Sequence, residues 1–202
     1  MKDQNRKEIV MLTEDEIIAM RRQAIEKKYS SIFSSATYIG ENRYIFAERE
    51  IERARIVAHL PREFIEMPLV VAKLKYLSES RPDTIITSTD IFTNFGFSLL
   101  SEAVKDEELF EIRNTMLEVL KKLSPQNIYI DGGVKTSKTN HIFAWHDYTT
   151  PTLDVDVYML HAYMRIKDRL LHILFNCAKD EYEFWKPIAL EVISSIREDD
   201  KL

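Results

Sequence analysis

The chain has 202 residues, of which 45% are hydrophobic and 30% are charged, a composition typical of globular proteins. At this length roughly 70% of the unfolded surface becomes buried on folding, enough for one core without metals or disulfides. The four glycines are too dispersed for the three-glycine fingerprint of dinucleotide-binding folds, and a net charge of −5 lacks the basic excess of nucleic-acid-binding proteins. The single cysteine, Cys177, excludes an intrachain disulfide and suits a reducing compartment.

The sequence divides into an N-terminal helical extension with its linker, residues 1–35, and a single predicted domain, residues 36–202. Thr13 and Glu16 have the spacing of a capping box, which predicts a helix over residues 14–28. The apolar stripe of this helix is thin, so its stability must come from docking. A serine-rich linker follows it.

The sequence shows no recognisable targeting signal. The apolar run at residues 9–12 is shorter than the ~7–15 residues of a secretory signal. No stretch approaches the ~18 apolar residues that span a bilayer, and no lipid attachment motif is present. We therefore expect a cytoplasmic protein that binds neither membranes nor nucleic acid.

Hydrophobic patterns downstream of the linker predict strands and helices in a regular order. The predicted strands cover residues 43–48, 55–60, 84–87, 91–100, 127–131, 141–148, 153–166 and 169–177. The predicted helices cover residues 68–75, 106–123 and 187–197, the last starting at a proline that does not fit inside a helix. The second of them carries a stripe that we expect to be buried: Leu109, Ile112, Met116, Val119 and Leu123. Short connections between the last four strands predict an α+β fold, a mostly antiparallel central sheet sandwiched by helices, with an extra N-terminal helix.

Several short phrases within this order of elements resemble the PsbP-like family, including its bacterial DcrB-like branch. They are Leu60-Pro61-x-x-Phe64 with Met67-Pro68, Lys75-Tyr76 with Ser80-x-Pro82, and Phe175-Asn176-Cys177 leading to Glu183-Phe184-Trp185-Lys186-Pro187. The likeness covers about residues 43–196. It implies an antiparallel sheet between helices and a non-enzymatic binding or assembly role, as in most known members. The family has no shared catalytic motif, so the resemblance implies no functional residue.

The segment from residue 141 to residue 158 combines aromatic and acidic residues around a turn at Pro151. Aromatic anchors beside polar rim groups are the composition of a protein recognition surface. The predicted binding residues are Trp145, Asp147, Tyr148, Asp156 and Tyr158. Because side chains alternate along a strand, only half of such residues face one way, and the others must pack inward.

A divalent metal site is an alternative interpretation of the same segment. Asp154 and Asp156 share one face of their predicted strand, and the turn could bring His146 or Asp147 close to them. Imidazole and carboxylate groups together are suitable ligands for a divalent cation. The predicted metal set is thus His146, Asp147, Asp154 and Asp156, against the plainer interpretation that these are polar residues of a strand edge and a turn.

Catalytic motifs were not found. The sequence has no His-Glu-x-x-His, and Gly96-Phe97-Ser98 lacks the second glycine of a nucleophile elbow. We therefore predict a non-enzymatic binding or assembly protein that needs no cofactor, with an unknown protein or a second copy of the chain as its partner. The alternative is a small metal-dependent hydrolase that uses the predicted metal set.

Overall fold

The structure, a computed structural model, describes residues 31–76 and 81–199 together with the single position 18. Apart from that position, the predicted N-terminal helix over residues 14–28 lies outside the described residues. Within them the chain is α+β, with three α-helices and three antiparallel sheets. The predicted α+β class with mostly antiparallel strands is confirmed.

Two small sheets form from short strands near the ends of the described chain. Strands β1 (Thr37–Ile39) and β2 (Asn42–Tyr44) pair as a hairpin. Strand β3 (Phe46–Ile51) pairs with β4 (Ile56–Pro61), and a short C-terminal strand at residues 197–198 adds to the other side of β4. The last described residues therefore pair with a strand from the N-terminal part of the domain.

The main sheet has seven antiparallel strands. In chain order they are β5 (Ile65–Glu66), β6 (Thr84–Thr87), β7 (Asn94–Ala103), β8 (Ile128–Thr136), β9 (Ile142–Thr150), β10 (Val157–Ile166) and β11 (Arg169–Ala178). Across the sheet the order is β5-β6-β7-β11-β10-β9-β8, which leaves the two-residue β5 and the nine-residue β8 at the edges. A short helix, α1 (Leu69–Lys75), connects β5 to β6.

Two longer helices cover opposite faces of the main sheet. Helix α2 (Leu109–Leu123) packs against β9 and β10, and α3 (Tyr182–Ser194) packs against β10, β11 and β4. We call the two surfaces the α2 face and the α3 face. Alternation along β10 places Leu160 in the main core on the α3 face and Tyr163 in a smaller cluster beneath α2.

Helix α3 begins at Tyr182, before the predicted start, and Pro187 lies inside it. A proline there removes one intrahelical hydrogen bond. Trp185 and Ile188 on either side of it are buried in the main core, and the Trp185 ring centre is 5.7 Å from that of Phe175. Burial of these side chains holds the helix across the proline, which the local sequence pattern does not reveal.

The predicted stripe of α2 is only partly buried. Leu109 is fully covered, whereas Val119 is 42% and Leu123 is 75% exposed. The helix contacts β9 and β10, and in its last turn Lys121 Nζ lies 5.6 Å from the centre of the Tyr129 ring, so the exposed end of the apolar stripe lies near the edge strand β8. The helical periodicity was predicted correctly, and the depth of burial was not.

Residues before the predicted domain boundary at residue 35 pack on the domain. Ile32 is buried in the main core. Its backbone N–H donates to Glu191 Oε2 at 3.1 Å, and the Ser31 hydroxyl donates to Glu191 Oε1 at 2.6 Å. The boundary itself stays a prediction, but a truncation that tests it should stop before Ser31.

Two truncations should therefore differ in stability. Removal of residues 1–34 takes away Ile32 and its bonds, and should lower the free energy of unfolding by about 2 kcal/mol relative to removal of residues 1–30. Urea unfolding followed by circular dichroism measures both proteins, with the full chain as control. Equal unfolding midpoints would show that residues 31–34 contribute nothing to the domain.

Candidate binding site

Alternation along β9 and β10 separates the predicted binding residues onto two faces of the main sheet. Trp145, Asp147 and Tyr158 lie on the α3 face, whereas Tyr148 lies on the α2 face. All four side chains are buried. None of them offers its side chain to a partner at the surface of this structure, and their role in binding stays a prediction.

Asp147 is the centre of a buried polar network on the α3 face. Lys186 of α3 forms an ion pair with it, with 2.8 Å between Nζ and Oδ2, and the Tyr158 hydroxyl donates to the same oxygen at 2.6 Å. Lys186 Nζ also lies 3.2 Å from Asp131 Oδ2 and 5.0 Å from the centre of the Trp145 ring. The network therefore ties α3 to three neighbouring strands, β8, β9 and β10.

The protonation states of this network suit a structural role. Burial raises the pKa of Tyr158, and the hydrogen bond to Asp147 and the charge of that carboxylate raise it further. Burial alone would lower the pKa of Lys186, but its hydrogen bonds and charge interactions with Asp147 and Asp131 raise it above the ordinary value. A phenol held neutral and an ammonium held charged do not exchange protons readily near neutral pH.

The predicted metal set is not brought together. His146 and Asp147 are neighbours on β9, so their side chains point to opposite faces of the sheet. Asp154 and Asp156 lie in the segment before β10, which begins at Val157. Among residues 31–76 and 81–199, no three His, Cys, Asp or Glu side chains are arranged to hold a metal ion.

A row of histidines on the α2 face is a feature that the sequence analysis missed. We call His146, His161 and His172 the histidine layer. The ring centres of His146 and His161 are 5.2 Å apart, as are those of His161 and His172. His161 bonds His172 through Nδ1 and Nε2 at 2.9 Å, and the Tyr148 hydroxyl at 3.1 Å. The cross-strand pairing of His161 with His146 produces this row, so only the strand register could have revealed it.

Burial keeps the histidine layer neutral. It lowers the pKa of His146 to about 4, with further lowering from the charges of Arg113 and His172. It lowers the pKa of His172 to about 4 as well, and that of His161 well below its ordinary value. Both ring nitrogens of His146 lack a hydrogen-bond partner among the described residues. The three rings are therefore uncharged near neutral pH and take up protons only under more acidic conditions.

A cavity of about 610 Å³ opens at the end of the main sheet where β9 ends, β10 begins and β11 ends. This volume falls in the range of about 300–1,000 Å³ that is usual for ligand pockets. The lining residues are Lys75, Tyr76, Phe92, Thr150, Thr152, Asp154, Val155, Val157, Met159, Asn176, Cys177 and Ala178. Two further hollows, of about 220 and 410 Å³, are smaller and include the charged side chains of Arg53 and Glu66.

Asn176 fixes the inner wall of the cavity. Its Oδ1 accepts a hydrogen bond from the Tyr76 hydroxyl at 2.8 Å, and its Nδ2 donates to the Phe92 carbonyl at 3.1 Å. Burial raises the pKa of Tyr76, so the phenol remains a donor. The amide thus joins β11 to the end of α1 and to the loop before β7, which pre-forms the wall.

The segment of residues 151–156 closes the other side of the cavity. Asp156 holds this segment, because its carboxylate pairs with Lys179 Nζ at 2.9 Å and its carbonyl accepts from the Lys179 N–H at 2.9 Å. Asp154 and Val155 line the cavity directly. Part of the predicted recognition segment therefore does meet a concave surface, although through its turn and not through its strand aromatics.

Exposed apolar residues and side chains of both charges surround the cavity. Phe92 and Val155 line it and are exposed, and the nearby Leu153 is fully exposed. Lys75 and Asp154 give its wall one basic and one acidic side chain.

No family model and no curated protein matches this chain. Solved structures do match. The solution structure of CyanoP, the cyanobacterial PsbP of Synechocystis sp. PCC 6803, superposes with a TM-score of 0.55 at 11% identity, over 79% of this chain and 95% of that one. LpqN of Mycobacterium tuberculosis superposes with a TM-score of 0.50 at 12% identity, over 79% of this chain and 93% of that one.

This chain has the PsbP-like fold. The predicted resemblance is confirmed at the level of the fold, which is all that identities this low can show. Two phrases that carried it, Lys75-Tyr76 and Phe175-Asn176-Cys177, meet at the cavity through the bond between Tyr76 and Asn176. Across residues 31–76 and 81–199 of this PsbP-like chain, the helices are too short or too polar to span a membrane.

Proposed function

We propose that this protein is a non-enzymatic binding protein that holds apolar side chains of a partner protein in the cavity at the end of the main sheet. The observation that carries the proposal is the pre-formed volume of about 610 Å³ beside exposed apolar residues. Apolar side chains left in solvent next to a concave surface mark interaction sites. A binding role is also what the PsbP-like resemblance implies.

Charge narrows the chemistry of the partner. The cavity wall carries Asp154 and Lys75, and the carboxylate of Asp90 interacts electrostatically with Lys75. Opposite charges across an interface speed association and select the partner. We therefore expect a partner segment in which a lysine or arginine that can pair with Asp154 lies beside an apolar residue.

The fold neighbours are compatible with this proposal. LpqN is involved in cell envelope biogenesis in Mycobacterium tuberculosis. The hydrolase alternative is not part of the proposal, because the strand alternation separates His146 from Asp147. The cytoplasmic location stays a prediction that fractionation of cells expressing the full chain would test.

Charged substitutions at the rim test the cavity. Phe92→Asp and Val155→Asp place a carboxylate on the cavity wall where an apolar partner side chain would enter, and each should weaken partner capture about 5–30-fold, the equivalent of 1–2 kcal/mol. Val70→Asp is the matched control, since Val70 is an exposed residue of α1 that does not line the cavity.

The measurement is quantitative capture of a protein by the full chain, followed by titration of that protein against each variant. Unchanged affinity in both rim variants would remove the cavity as the binding site. A similar loss in Val70→Asp would show that the effect comes from added negative charge and not from the cavity.

A further inference from the structure

Strand β8 is the long exposed edge of the main sheet. It has nine residues and, among the described strands, pairs only with β9; the pairing is regular from Asp131 to Thr136 and shifts register between Tyr129 and Asp131. Three large apolar side chains on it are well exposed: Ile128 at 63%, Ile130 at 40% and Val134 at 47%. Long, apolar edge strands readily pair with another strand, and proteins normally shorten or block them.

Gly132 and Gly133 in the middle of this strand differ in how much room the fold leaves for a side chain. A Cβ on Gly132 would lie 2.9 Å from the Trp145 carbonyl oxygen, so the approach of β9 requires glycine there. A Cβ on Gly133 would meet only the Trp145 Nε1 at an ordinary 3.7 Å. Glycine inside a strand weakens it and often marks the close approach of another backbone. Packing within the domain does not explain Gly133.

The charged side chains of one β8 strand complement those of a second, antiparallel copy of β8. Asp131, Gly133 and Lys135 pair with alternate residues of β9 and so share the α3 face. If two copies of β8 run antiparallel about a two-fold axis at Gly133, Asp131 of each copy lies opposite Lys135 of the other. The same register places Val134 opposite Gly132, which leaves room for the valine side chain.

We propose that β8 pairs with β8 of a second copy of this chain, antiparallel about a two-fold axis at Gly133. The two seven-stranded sheets then join into one continuous sheet, and the outward backbone groups of β8 acquire partners. Two symmetric Asp131–Lys135 pairs fix the register. This edge is separate from the cavity, so a test of the dimer does not depend on the proposed function.

Charge reversal on the full chain tests the register. Lys135→Asp places two carboxylates opposite each other at both symmetric positions, and Asp131→Lys does the same with two ammonium groups. Each variant alone should raise the dimer dissociation constant roughly tenfold at low salt. An equimolar mixture of the two variants restores opposite charges at both positions and should restore dimers.

Sedimentation equilibrium measures the wild type, each variant and the mixture. Lys122→Asp, on the exposed side of α2, is the control and should leave the dimer unchanged. A monomeric wild type at about 100 μM would overturn the proposal, since that corresponds to a dimer weaker than roughly 5 kcal/mol. Variants that dimerise as well as the wild type, or a mixture that does not recover, would equally overturn it.

Asp131→Lys also removes the contact of Asp131 with Lys186 in the same chain, so a second test that changes no charge is needed. Gly133→Cys places two thiols at the proposed axis, and mild oxidation should link two chains covalently. Cys177 is buried and should not react. Lys122→Cys, which places an exposed thiol away from β8, is the matched control. Failure of Gly133→Cys to cross-link faster than the control would contradict the axis.

Discussion

Lys186→Met should lower the free energy of unfolding by about 3–5 kcal/mol, because it leaves Asp147 as a buried carboxylate without its counter-ion. Asp147 is completely buried, and Lys186 Nζ lies 2.8 Å from its Oδ2. The Tyr158 hydroxyl remains as a donor, but one neutral hydrogen bond does not replace an ion pair. Urea unfolding at pH 7 measures the loss.

A double variant separates the ion pair from packing. In Asp147→Leu with Lys186→Met, no charge remains buried, so most of the stability lost in Lys186→Met should return. A matched control is Lys121→Met, which breaks an exposed pair with Glu118 on α2 and should leave stability nearly unchanged. If Lys186→Met were as stable as Lys121→Met, the buried network would not hold α3 to the sheet.

Acidification should destabilise the protein through the histidine layer. The pKa values of His146 and His172 are lowered by burial from 6.5 to about 4, so the unfolded chain binds protons at a higher pH than the folded one. Stability therefore falls as the pH drops through the window from about 6.5 to about 4. At pH 5 the loss is roughly 2 kcal/mol for each of these two histidines.

His146→Phe should reduce this pH dependence. The ring nitrogens of His146 have no hydrogen-bond partner among the described residues, so a phenylalanine of similar shape removes a titrating group without breaking a bond. We expect the variant to be more stable than the wild type at pH 5, by about 2 kcal/mol, with a shallower slope between pH 7 and pH 5.

The matched control for this titration is His141→Asn, since His141 lies just before β9 and outside the histidine layer. Urea unfolding at pH 7.5, 6 and 5 gives the slope for each protein. Carboxylates titrate in part of the same pH window. The contribution of His146 is therefore read from the difference between the slopes of the variant and the wild type, not from the wild-type slope alone. An unchanged slope in His146→Phe would contradict a neutral His146 in the folded state.

The sequence alone was sufficient for the fold class and for much of the order of elements. Apolar periodicity and turn residues are local properties, and they placed the strands that became β6, β9 and β11 within a few residues. It also indicated that the aromatic and acidic residues of β9 must divide between two faces. The sequence did not indicate which helix and which side chains lie against each face of the sheet.

Only the tertiary structure decided the contacts on which the site depends. Lys186 meets Asp147 because α3 packs on the face of the sheet to which the Asp147 side chain points. The three histidines align because the strand register places His161 opposite His146 and diagonally from His172. The cavity forms because the end of β9, the start of β10 and the end of β11 lie at the same level, where Asn176 can reach Tyr76. Register and helix placement are set by the sum of many distant packing contacts, and no local pattern encodes them. For the same reason Pro187 lies inside a helix and Leu123 lies in solvent, both against local expectation.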